Sequence, residues 1–172
     1  MGPPSAQAAG TLVTPLQVSE LLDRWPAAAE CPFPVLLDSG GNGRWSLLAS
    51  DPITVLVSHG RDLSLWREGR EQRSQGDPFE ALTELLAERP LPELPGLPFP
   101  GGAIGAFGYD LGQHLERLPR RAQDDLNFPD LVVGIYDRFE IQDRREGRSW
   151  SVILPGSPGP RALSPAQYAQ HF

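Results

Sequence analysis

Short apolar runs, some alternating with polar residues, recur along this chain, and glycines and prolines separate them into pieces. Thr11–Val13 predicts a short strand. Pro34–Ser39 is an apolar run ending in the turn Gly40-Gly41-Asn42-Gly43, which predicts a buried strand. Arg44–Ser50 follows, with Trp45, Leu47 and Ala49 on one side. In Ile53–Ser58, Val55 and Val57 alternate with Leu56. Leu63–Trp66 ends at the hairpin tip Glu68-Gly69. Sequential strands with short links favour an antiparallel meander. Later, Leu131–Ile141 predicts one long strand, Glu146-Gly147 a second hairpin tip, and Ser149–Leu154 its partner.

Helical periodicity is rarer, and proline-containing capping signals mark it. Thr14-Pro15-Leu16-Gln17 reads as a helix start, with Leu21, Leu22 and Trp25 as its apolar face and Pro26 as its stop. Asp77-Pro78-Phe79-Glu80 repeats the device ahead of Phe79, Leu82, Leu85 and Leu86, a helix through about Arg89. Asp110–Leu118 places Leu111, His114 and Leu115 at helical spacing. A third signal, Ser164-Pro165-Ala166-Gln167, puts Tyr168 and Phe172 on one face. The sum is an α+β fold, mostly antiparallel β-sheets flanked by a few helices. Residues 1–10 form a loose leader, 11–163 one domain, and 164–172 the start of a helix. So short a helix is marginal alone, which predicts that it leads into a larger structure, the alternative being a short C-terminal helix docked on the same domain.

Composition narrows the function classes. The 172 residues carry 18 glycines and 19 prolines, which fits short elements and many turns. Hydrophobic residues at 40 % supply a real core, so wholesale disorder is excluded. The net charge of −7 argues against a nucleic-acid partner. All basic residues are arginine, so no lysine can act as a nucleophile or Schiff base. A single cysteine, Cys31, leaves no internal disulfide, and a reducing cytoplasm is the expected setting. No apolar run is long enough for a membrane span, and the N-terminus lacks the basic and apolar regions of a secretory signal.

Candidate chemistry is sparse. His59, His114 and His171 have no metal-ligand spacing to one another or to Cys31, and there is no Gly-x-Ser-x-Gly elbow. The stretch Gly101–Asp110 lacks the Gly-Lys-Ser/Thr of a phosphate loop and the Gly-x-Gly-x-x-Gly spacing. Its glycines fit close backbone packing, with a nearby ligand pocket as the alternative. The Asp38-Ser39 pair lies where an apolar run meets a loop. It serves either to cap the turn or, with Arg44 for a carboxylate and Trp45 for an aromatic ring, to grip a small polar ligand.

Three blocks carry a resemblance. Pro34–Ser39 followed by Arg44–Pro52, then Pro98–Asp110 with Glu116 and Pro119, then Pro129–Asp137, resemble in content and order the N-terminal region of the chorismate-utilising enzymes. Within that family the chain resembles component I of aminodeoxychorismate synthase. Asp38, where the anthranilate branch usually has glutamate, and Tyr136-Asp137 lean that way; component I of anthranilate synthase is the second reading. The resemblance implies a non-catalytic domain that packs on a larger chorismate-binding domain. It implies no cofactor in this chain, because Mg²⁺ is held in that other domain, and a glutamine amidotransferase as partner of the whole enzyme. It also implies part of a tryptophan pocket at Ser39, with Arg44 and Trp45 matching less securely. A stand-alone amino-acid-binding regulatory module is the third reading.

Overall fold

Two hairpins set the frame, and each closes where backbone with positive φ is tolerated. Glu68 (φ 53) and Gly69 (φ 72) close the hairpin between Asp62–Arg67 and Arg70–Gln75, and Gly147 (φ 62) sits at the turn between Arg138–Asp143 and Arg148–Ile153. The computed structural model describes residues 10–17, 20–117, 126–157, 161–164 and 166–168. Its strands are β1 (Leu12–Leu16), β2 (Val35–Leu37), β3 (Trp45–Ala49), β4 (Thr54–His59), β5 (Asp62–Arg67), β6 (Arg70–Gln75), β7 (Gly102–Phe107), β8 (Leu131–Tyr136), β9 (Arg138–Asp143) and β10 (Arg148–Ile153). They form two antiparallel five-stranded sheets, ordered β1-β10-β9-β3-β2 and β6-β5-β4-β8-β7. The α+β reading is correct, with helices as minor flanking elements.

The meander expectation holds for β4-β5-β6 only, because the chain changes sheets between β3 and β4. β6 (Arg-Glu-Gln-Arg-Ser-Gln) was not predicted. It is a polar edge strand, and its register is set by β5 rather than by an apolar face of its own. The predicted long strand over Leu131–Ile141 is two strands in different sheets. The break falls at Asp137, whose carboxylate is buried and anchored by Arg161 Nη1 at 2.7 Å. Apolar periodicity runs straight through this corner because both strands are buried on both sides.

The helix predicted from Thr14 does not form. Thr14 and Pro15 are strand residues facing Ser151 and Trp150, and Pro15 is tolerated because β1 is an edge strand. A 3₁₀ turn (Leu21–Arg24) and one α-helical turn, α1 (Trp25–Ala28), stand there instead. Pro26 lies in the first turn of α1 rather than ending a helix. Likewise β2 is an edge strand with Leu37 half exposed, not a buried one. Of the helix predicted over Asp110–Leu118, a 3₁₀ helix over Tyr109–His114 forms, and Leu118 lies outside the described residues.

The second capping signal behaves as read. Asp77 accepts hydrogen bonds from Phe79 N and Glu80 N at 2.8 and 3.2 Å, and α2 runs Pro78–Ala87. Phe79, Leu82 and Leu85 cover one face of the second sheet over Leu56, Leu63, Leu131, Val133 and Ile135. On the opposite face, Val55, Val57 and Trp66 meet Phe33, Ala162 and Leu163. The proline-rich connector after α2 contributes Leu94, Leu97 and Phe99 to a third cluster, which joins the two sheets through Ile104, Tyr136, Ile141 and Trp150.

The glycine-rich stretch is β7, and close packing explains it. A Cβ on Gly105 would lie 2.0 Å from Val132 O. Gly134 lies under the Tyr136 ring, where a Cβ would approach Cε2 to 2.7 Å. Ser164 and Gln167 form the third capping box reciprocally: Gln167 N donates to Ser164 Oγ, and Ser164 N to Gln167 Oε1. Tyr168 packs on Phe33 with ring centroids 4.9 Å apart. Pro165, His171, Phe172 and residues 1–9 lie outside the described residues.

Candidate functional site

The corner where β2 ends and β3 begins holds the three residues singled out in the sequence. Gly40 (φ 59) and Gly41 (φ 80) turn the chain, and Asn42 N donates to Ser39 O at 3.1 Å. Gly43 lets the loop close on Ser39, since a Cβ there would stand 2.9 Å from Ser39 Cβ. Ser39 Oγ is buried and has no hydrogen-bond partner among the described residues.

The turn-capping role assigned to Asp38 is present. Its carboxylate accepts from Gly40 N at 2.9 Å, Ser46 Oγ at 2.9 Å and Arg144 Nη1 at 3.0 Å. These bonds, led by the one from Gly40 and then the Ser46 hydroxyl, hold the Asp38 carboxyl below its ordinary range. Arg44 is placed by cross-strand register. β3 pairs with β9 so that Trp45 faces Asp143, and Arg44 reaches the same aspartate. Its Nε lies 3.1 Å from both Asp143 oxygens and its Nη2 2.7 Å from Oδ2. Its guanidinium stacks over the Trp45 ring at 4.7 Å, and its side chain stays 44 % exposed. Asp143, by contrast, is covered. The Arg44 bond lowers its carboxyl most, and the N–H groups of Glu146 and Arg145 add to that against the cost of burial. The Trp45 ring is half-buried against the core that joins the sheets.

Ser39, Arg44 and Trp45 thus share one corner of the first sheet, and four further polar residues complete it. Asp143, Arg144, Ser46 and Glu20 were missed in the sequence. Arg144 bridges Asp38 and Glu20, 3.2 Å from the latter, and Arg144 N donates to Arg44 O. For Asp143 and Arg144 the sequence signal is the Glu146-Gly147 turn, and their place opposite β3 is a matter of register. Chemically the corner offers paired carboxylates, two guanidinium groups, a buried hydroxyl and an aromatic ring. That is a set for binding a small zwitterion. His59 ends β4 in the other sheet and His114 ends the 3₁₀ helix Tyr109–His114, its Nδ1 3.5 Å from Asp77, so among the described residues no imidazole reaches Ser39 as a base. Among the same residues no helix is long and apolar enough to cross a membrane.

No family model matches the chain. Curated relatives do. The chain is 43 % identical over 125 residues to aminodeoxychorismate synthase component 1 of Klebsiella aerogenes, covering 67 % of this chain and 27 % of that protein. It is 39 % identical over 129 residues to anthranilate synthase component 1 of Mycobacterium bovis, covering 70 % and 25 %. The crystal structure of anthranilate synthase component I from Streptococcus pneumoniae matches with a TM-score of 0.56 and 25 % identity, over 79 % of this chain and 30 % of that one. In sequence and in fold, this chain matches the N-terminal part of the component I family. It spans about a quarter of the length of the curated component I relatives. The two sheets with their sparse helices are therefore similar in fold to that component I structure, and the Ser39 corner lies at the β2 edge of the first sheet.

Proposed function

We propose that this chain is the N-terminal, non-catalytic domain of a chorismate-utilising synthase, in the aminodeoxychorismate branch. The observation that carries the reading is the match at 43 % identity to a quarter-length, N-terminal stretch of a protein of that name. In this reading the complete enzyme replaces the 4-hydroxyl of chorismate by an amino group. The ammonia comes from a glutamine amidotransferase subunit, and the product serves folate synthesis. The chorismate and Mg²⁺ sites belong to a further domain. Among the described residues no three His, Cys, Asp or Glu side chains gather in one place. The domain scaffolds that partner and holds the corner of Ser39, Arg44 and Trp45 as part of a tryptophan-type site. There Asp38 would face the ammonium, Arg44 the carboxylate and Trp45 the ring.

Two measurements test this. The purified chain, given chorismate, Mg²⁺ and ammonia, is expected to form no aminodeoxychorismate; formation of product would refute the non-catalytic assignment. Titration calorimetry with tryptophan tests the corner: saturable heat that Ser39→Ala weakens supports it, and absence of heat removes it. The anthranilate branch is the second reading, favoured by the 39 % identity to the Mycobacterium bovis protein. Joining the chain to the C-terminal part of each synthase, and asking which hybrid is active, separates the two.

A further inference from the structure

A second concave site lies away from the Ser39 corner, and it does not depend on the reading above. It is a cleft of about 320 Å³ between the C-terminal end of α2, the start of the proline-rich connector and the end of β8. Leu86, Leu91, Ile135 and Leu154 give it apolar walls. Leu86 and Leu91 are 40 % and 43 % exposed, so an apolar guest would cover surface that water now wets. Gly102 (φ 109) keeps the cleft open. A Cβ there would stand 3.3 Å from Leu91 Cδ1 and 3.8 Å from Leu86 Cδ2.

Three charged residues also line the cleft, and their partners decide what it can hold. Asp137 is 2 % exposed and bonded to Arg161 at 2.7 Å, so it has no open charge to offer a guest. Glu88 accepts from Arg67 Nη2 at 2.7 Å. Both members of that pair line an adjoining polar hollow of about 180 Å³, together with Thr54 and Glu68; Glu68 does not reach the cleft itself. Arg89 lines both spaces, is exposed, and has no ion-pair partner among the described residues. Taken with their bonded partners, the lining charges therefore leave one positive charge unmatched, on Arg89. The last turn of α2 ends beside it and carries no basic residue of its own. The dipole there is worth about half a negative charge, which the full charge of Arg89 exceeds. A cation in the cleft would meet Arg89 unfavourably, and a neutral guest would leave it unmatched.

We propose that this cleft binds a small monocarboxylate with an apolar body, the body against Leu86, Leu91, Ile135 and Leu154 and the carboxylate on the Arg89 guanidinium. A guanidinium offers a carboxylate two parallel N–H donors, and an exposed one does so without entering a dry interior. The test titrates cyclohexanecarboxylate, its neutral amide cyclohexanecarboxamide, and the cation cyclohexylmethylammonium into the 172-residue chain while methyl resonances are followed by NMR. Saturable shifts are expected at Leu86, Leu91 and Ile135, with the carboxylate bound about fivefold more tightly than the amide, the worth of one exposed ion pair. That advantage should fade at ~1 M salt. Arg89→Gln should erase it while leaving the affinity for the amide and the urea midpoint unchanged, because Arg89 anchors no other described residue. Equal affinity for carboxylate and amide, tightest binding of the ammonium, or an advantage that survives Arg89→Gln would each overturn the role of Arg89. Absence of saturable shifts with all three probes, or shifts centred on Leu37 and Leu48 at the other corner, would overturn the site.

Discussion

Two Asp–Arg pairs stand at opposite functions in this molecule. In both, the carboxylate side chain is 3 % exposed: Asp137 at the sheet change, Asp143 at the Ser39 corner. The cations differ. Arg161 is 17 % exposed and also donates to Asp51 O and Ser157 Oγ, tying β8 to the C-terminal segment. Arg44 is 44 % exposed and stacked on Trp45. The inner pair is enclosed, so breaking it strands a charge. The outer pair keeps one face to solvent, so its guanidinium can be shared with a ligand. The same residue types give a structural tie in one place and a candidate binding surface in the other, and burial of the arginine makes the difference.

The largest effect should come from Arg161→Ala. It leaves the Asp137 carboxylate buried with only Arg138 within 4 Å, and should cost about 3 kcal/mol in urea unfolding. A loss near zero would erase the distinction between the pairs. Next is Gly134→Ala beside the same corner. Its Cβ collides with the Tyr136 ring, and overpacking of that kind should cost about 2 kcal/mol. Tyr136→Phe removes the hydrogen bond from Tyr136 Oη to Phe33 O, 2.8 Å, and should cost about 1 kcal/mol, read as a lowered urea midpoint.

The outer pair is best separated by pH. Asp38 and Asp143 have carboxyls lowered in the folded state, so they contribute stability above the ordinary carboxylate value, about 4, and lose it as pH falls through their lower folded values. Asp51, raised by burial against the opposing pull of Arg161, works in the other direction. Asp143→Asn should therefore lower the thermal midpoint at neutral pH and converge on the unsubstituted chain in acid. A constant offset at every pH would show that this carboxylate contributes nothing through its charge. The smallest change belongs to Arg44→Gln: a urea midpoint at neutral pH lowered less than by Arg161→Ala, because the N–H groups of Arg145 and Glu146 still reach Asp143, with tryptophan binding weakened in the reading that the corner holds that ligand.

Local signals in the sequence were legible wherever one residue set one geometry. Asp77-Pro78 started α2, Glu68-Gly69 and Glu146-Gly147 closed hairpins, and Trp45, Leu47 and Ala49 shared a face. They misled where proline serves two purposes. Pro15 reads as a helix start, yet on an edge strand its missing N–H costs nothing. The Ser39 corner was half legible: Ser39, Arg44 and Trp45 lie on adjoining stretches, whereas Asp143 and Arg144 arrive from the distant β9 end of the chain.

The sequence by itself determined the turns, the alternating faces, the Asp77 and Ser164 caps and the absence of lysine chemistry, because each depends on a few neighbouring residues. Only the tertiary structure decided that Leu131–Ile141 splits between two sheets, that Asp137 is buried there with Arg161, and that Arg44 faces Asp143. Those facts follow from register and burial, which the whole fold sets and no short window of sequence contains.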